Sequence, residues 1–242
     1  MLHSNAAFGM HFWNLGLYSW VRKPFQRHLT ARNNDAYGVR QAIGNSQMIR
    51  TMSGFIKLPR DHTAKEMNGI KANLGLIRNL ALNSAARAAM MNENVPLKIA
   101  QLLEECSFPA DDYAYRKFDY DDLIDGALGA LHVLCRDKNI RRVVSGIHIS
   151  RGGHIITLIR PYLADRACFR GTVTLNRESI QREAAGLLCE MVEEESNQRI
   201  MEEIGIAEDL SLMLNSHSES QATYAAATLY KLSGSIDVSL SP

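Results

Sequence analysis

Lys71 and Arg78 stand seven residues apart with Gly75 between them. On a helix seven residues make two turns, about 20° off alignment, so both cations and the glycine fall on one stripe. Cation, glycine, cation leaves space at backbone level between two charges, a surface suited to an extended acidic peptide. The stripe recurs along the chain. Four residues before each glycine-type position stand Lys71, Asp125, Arg182 and Thr223, and three after it stand Arg27, Arg78, His132, Cys189 and Tyr230. The next column holds His28, Asn79, Val133, Glu190 and Lys231. Asn79 carries both a donor and an acceptor, the pair needed to hold a ligand backbone amide and carbonyl in register. Taken singly, Lys71 or Arg78 is an ordinary solvated helix residue and His132 a satisfied polar residue at a packing edge. Repetition turns them into the lining of a groove, with Lys71 and Arg78 both facing solvent.

Other chemistries find no support in the residue pattern. There is no GxSxG, P-loop, HExxH or dinucleotide fingerprint, so no catalytic residue is expected. The Arg151-Gly-Gly-His stretch is a weak anion cradle. Asp111, Asp112, Asp119, Asp121, Asp122 and Asp125 lack the glycine and terminal glutamate of a calcium loop. Cys106, Cys135, Cys168 and Cys189 form no CxxC or Cys/His pattern, and the start has no signal peptide, so they read as reduced cytosolic thiols rather than zinc ligands. The sequence predicts no metal, no cofactor and no enzyme activity. Charges interrupt every apolar stretch after Arg22, which predicts a soluble protein without membrane insertion.

The elements that must carry the stripe are helices. Of 242 residues only six are proline and sixteen glycine, and 46% are hydrophobic, ample for a core. Ile70, Leu74, Ile77, Leu80 and Ala81 fall at the spacing of a helix with one buried face, and 122–135, 180–192 and 222–232 read alike. The total charge of +1 offers no argument for direct nucleic-acid binding. It conceals twelve Lys and Arg against three Asp and Glu in residues 1–90, then fifteen against twenty-three in the remainder. A basic half of this kind faces acidic partners. Gly75-Leu-Ile-Arg-Asn-Leu, Gly129-Ala-Leu-His-Val-Leu, Gly186-Leu-Leu-Cys-Glu-Met and Ala227-Thr-Leu-Tyr-Lys-Leu align as copies, with Arg27-His-Leu-Thr as a truncated fifth. Their intervals are 54, 57 and 41 residues. A basic period near 41, twice lengthened by insertions, is the mark of an armadillo or HEAT solenoid.

These strings, in this order, resemble the beta-catenin family of armadillo-repeat proteins, specifically its last four repeats and the final helix of the repeat before them. The resemblance implies an all-α, right-handed superhelical solenoid of about four repeats over residues 26–235, with insertions looping out near 106–120 and 150–177. Residues 236–242 form a tail. Residues 1–25 match nothing in the family and hold six of the seventeen aromatics, including Trp13 and Trp20. The family's earlier repeats, phosphodegron, alpha-catenin site and acidic tail have no counterpart. By resemblance, Arg27, His28, Lys71, Arg78, Asn79, His132 and Arg182 line a groove for extended acidic segments of cadherin cytoplasmic tails and T-cell-factor transcription factors. Tyr224 matches a tyrosine whose phosphorylation weakens cadherin binding. The roles implied are cell adhesion and Wnt signalling with transcription coactivation, in the cytoplasm, nucleus and adherens junction. Two alternatives stay open. One is a truncated or mispredicted product without independent function. The other is an importin-like peptide receptor, disfavoured by the basic groove and by tryptophans lying outside the repeats.

Overall fold

The computed structural model describes residues 46–58, 64–108, 120–150, 153–163 and 177–239. Arg27, His28, the atypical segment 1–25, Arg151 and Cys168 lie outside the described residues, as does most of each expected insertion.

The described chain is helical throughout, apart from one two-residue antiparallel pair. Helices α1 (Ser46–Gly54) and α2 (Ala64–Leu80) open it. Three helix triplets follow: α3 (Ser84–Asn92), α4 (Val95–Ser107) and α5 (Asp121–Leu134); α6 (Lys138–Ser145), α7 (Ile155–Ile159) and α8 (Arg177–Met191); α9 (Glu195–Glu203), α10 (Ile206–Met213) and α11 (Glu219–Ser239). The pair β1 (His148–Ile149) and β2 (Gly153–His154) sits between α6 and α7, with His148 opposite His154. The long third helices α2, α5, α8 and α11 pack side by side in that order.

The predicted apolar stripe is the core: Ile70, Leu74, Ile77, Leu80 and Ala81 are all buried, as are Leu123, Leu128, Leu131, Leu187 and Leu188. Two of the three triplets begin with the same device. Asn83 caps α3, its Oδ1 accepting from the backbone N–H groups of Ala85 and Ala86 at 2.9 and 3.2 Å, and Asp137 caps α6 through Asn139 and Ile140. Glu194 stands at the same place before α9 but makes no side-chain cap there, its carboxylate accepting from Arg141 and Arg142 instead. The turn from first to second helix needs a left-handed residue, supplied by Asn94 (φ 55°) in one triplet and Gly205 (φ 68°) in another.

Successive triplets are stapled by a repeated arginine. Arg87 Nη1 donates to the Ala81 carbonyl at 2.9 Å and its Nε to Asp137 of the next triplet at 3.3 Å. Arg141 repeats this with the Cys135 carbonyl and Glu194, both at 3.1 Å. Gln198 keeps only the carbonyl half, donating to Val192 at 2.8 Å. Each arginine staple therefore satisfies a helix-end carbonyl and joins two repeats at once.

One expectation changes. Within the stretch predicted to loop out at 150–177, Ile155–Ile159 forms α7, and Ile155, Ile156, Leu158 and Ile159 are buried. Four apolar residues among five are too short a run to show a helical period, so the pattern hid a core helix. Tyr162, just beyond it, is buried with its hydroxyl 2.5 Å from Ser107 at the end of α4.

Candidate binding groove

The side-by-side third helices make a surface whose floor is set by the glycine column. A Cβ on Gly129 would lie 2.7 Å from Arg78 Nη1, and one on Gly186 would lie 2.7 Å from His132 Nδ1. The glycines therefore seat the side chain from the preceding repeat. Arg78 leaves α2, crosses α5 at Gly129 and reaches Glu183 on α8. His132 leaves α5, crosses α8 at Gly186 and meets Tyr224 on α11, ring centroids 5.3 Å apart at 89°. Arg78 and His132, each three after a glycine, thus span two repeat steps. At Gly129 and Gly186 the backbone-level space is filled from within.

Glu183 is the hub. Its Oε1 accepts from Arg78 Nη2 at 2.9 Å and Arg182 Nη2 at 3.1 Å, and its Oε2 lies 3.0 Å from His132 Nδ1. The carboxylate side chain is 2% exposed. Burial pushes its pKa up, but the His132 hydrogen bond and the Arg78 and Arg182 guanidinium groups outweigh burial and hold it at about 2. Arg182 also donates to Ser179 at 2.9 Å, and Ser179 hydrogen-bonds Asp125. Burial, with Glu183 nearby, raises the Asp125 pKa against the pull of Ser179, Arg78 and Arg182. A continuous polar network links α2, α5 and α8 across the groove floor, and the His132–Tyr224 ring contact extends it to α11.

The predicted residues fall into three groups. Arg78, His132 and Arg182 are brought together on Glu183. Lys71 stands apart, half-exposed, its Nζ 2.6 Å from Asp122. Asn79 is exposed on the last turn of α2, and Tyr224 is partly buried against the core. His132 is buried, its Nε2 without a hydrogen-bond partner, rather than facing a ligand directly. Arg78 is likewise no free solvent-facing clamp, because a cation beside a buried carboxylate turns inward to pair with it. Glu183 itself escaped the sequence reading. The available signal was an acid beside Arg182 at a position flanked by Ile180, Ala184 and Leu187, where an ionised group requires partners from elsewhere.

Among the described residues no cluster of His, Cys, Asp and Glu is placed to hold a metal ion, and no helix is long and apolar enough to cross a membrane. Cys106 and Cys135 are fully buried and burial drives their thiols far above the usual range. They pack as small apolar groups.

Comparison with known proteins agrees with the repeat geometry. A catenin beta of Urechis caupo is 30% identical over 217 residues, and one of Tripneustes gratilla is 33% identical over 220, each covering 86% of this chain. This is a beta-catenin-like armadillo protein. The junction plakoglobin of Sus scrofa is 29% identical over the same share of the chain. The chain spans about a quarter of these relatives, 24% of the two catenins and 26% of the plakoglobin. The crystal structure of an engineered protein matches the fold with a TM-score of 0.53 at 15% identity, over 81% of this chain and 70% of that one. No protein-family profile matches the chain. The helix triplets of this beta-catenin-like protein are therefore armadillo repeats, stacked as an all-α solenoid.

Proposed function

We propose that this chain is a non-enzymatic armadillo scaffold whose groove holds extended acidic segments of cadherin cytoplasmic tails and T-cell-factor transcription factors. It then serves adhesion at the adherens junction and, in cytoplasm and nucleus, Wnt signalling and transcription coactivation, without touching nucleic acid directly. The observation that carries this reading is the row of accessible polar side chains on two groove helices: Lys71 and Asn79 exposed on α2, with Arg78 on α2 and Arg182 on α8 each still more than a third exposed above Glu183. The basic bias of residues 1–90, which includes Arg27 and His28, favours the same class of ligand. Tyr224 sits at the edge of His132, so a phosphate there, with a charge of about −1.5 to −2, would set repulsion beside the groove floor.

Fluorescence anisotropy with a labelled acidic cadherin-tail peptide tests the reading. Binding should weaken as salt rises, and Lys71→Ala should weaken it roughly threefold to fivefold, the share of one exposed ion pair. Salt-independent binding that ignores Lys71→Ala would refute the groove.

A further inference from the structure

We propose that Glu183 is a specificity-determining residue of the groove: it takes from within the place among Arg78, Arg182 and His132 that a ligand carboxylate would occupy, and so limits how acidic a segment the groove centre accepts. The inference rests on the groove-binding reading and refines which segments fit.

Three donors already point at one carboxylate: Arg78 and Arg182 at Oε1, and His132 at Oε2. The arginine side chains remain 39% and 37% exposed, so a ligand can still touch their outer N–H groups. It meets two cations with an anion fixed between them, and Asp125 adds carboxyl character on the far side of Ser179. Glu183 cannot swing aside. It is held by groups from three helices, and its helix neighbours Ile180, Ala184 and Leu187 are buried. The Lys71–Asp122 pair differs, because both side chains are about half exposed and water screens and loosens it. The groove therefore grades along its length. Near Lys71 it suits ligand carboxylates. Over Glu183 it suits neutral hydrogen-bonding side chains that accept from arginine without opposing a buried charge. The partner that fits is an extended segment whose acidic residues are interrupted by amides or hydroxyls.

The full chain and its Glu183→Gln variant should be titrated with two labelled peptides, one continuously acidic and one with alternate acids replaced by Gln. Wild type should prefer the interrupted peptide. Glu183→Gln keeps the size of the side chain and removes the charge, so it should bind the continuous peptide about tenfold more tightly and with steeper salt dependence. Glu183→Val serves as a second variant, and thermal melts establish that each remains folded. A peptide preference identical in wild type and both folded variants would overturn the inference while leaving the groove reading intact. Binding of the continuous peptide by Glu183→Gln alone would support the role of Glu183 and overturn the groove reading for wild type. Binding by none of the proteins would overturn both.

Discussion

Reversing Arg78 and reversing Lys71 look alike on a helical wheel, and the structure separates them. Lys71→Glu breaks one exposed pair with Asp122, whose side chains are 50% and 44% exposed, and sets two carboxylates near each other in water. The expected cost is about 0–1 kcal/mol. Arg78→Glu removes a counter-ion from Glu183 and points a second carboxylate at it. Breaking a buried pair costs about 3–5 kcal/mol when one charge is left unmatched. Arg182 and His132 remain on Glu183, and Arg78 is 39% exposed, so screening lowers the expected loss to about 2–4 kcal/mol. For a domain of this size that corresponds to roughly 5–15 °C in melting temperature. The consequence is practical: a double change of Lys71 and Arg78 to glutamate, which a helical wheel would suggest as a clean test of peptide binding, destabilises the groove it is meant to probe. Urea unfolding of both single variants, with Glu183→Gln added as the third corner of a cycle, checks this. Arg78→Glu should be partly rescued by Glu183→Gln. Equal midpoints for the two lysine and arginine reversals, or no rescue, would refute the hub.

Gly186→Ala should destabilise despite the better helix propensity of alanine, because the new methyl displaces the His132 ring from Glu183; the helix gain of about 1 kcal/mol is exceeded by a lost buried charged hydrogen bond of about 1.5–3 kcal/mol, read by denaturant melts. Glu183 has a folded pKa below its ordinary 4.5, so its stabilisation is fully present above 4.5 and is lost as pH falls towards about 2. On the order of 3 kcal/mol should disappear over that window, and Glu183→Gln should lack this part of the acid transition when unfolding is followed against pH. Cys106 and Cys135 should resist alkylation in the folded protein while half-buried Cys189 reacts faster, and all should react alike in denaturant; mass spectrometry of timed samples distinguishes them.

Periodic features were legible in the sequence. The apolar stripe Ile70, Leu74, Ile77 and Leu80, the aligned strings at Gly75, Gly129, Gly186 and Ala227, and the basic leading half all follow from local patterns, because a helix face is a matter of spacing alone. These sufficed for helix type, repeat count and the family resemblance. The asparagine and acid caps at Asn83 and Asp137 were equally local in cause. What only the tertiary structure decided is whom each groove residue meets. Arg78 and Glu183 lie 105 positions apart, and nothing in the spacing between them announces contact. Their meeting depends on repeat stacking, on Gly129 lying flat beneath the guanidinium, and on the low tolerance of a buried site for an unpaired charge. The same stacking buries His132 over Gly186 and places Ile155–Ile159 in the core. Helical periodicity assigns a residue to a face; whether that face looks at solvent, at a ligand or at the repeat after next is settled by packing between elements, which a linear pattern does not encode.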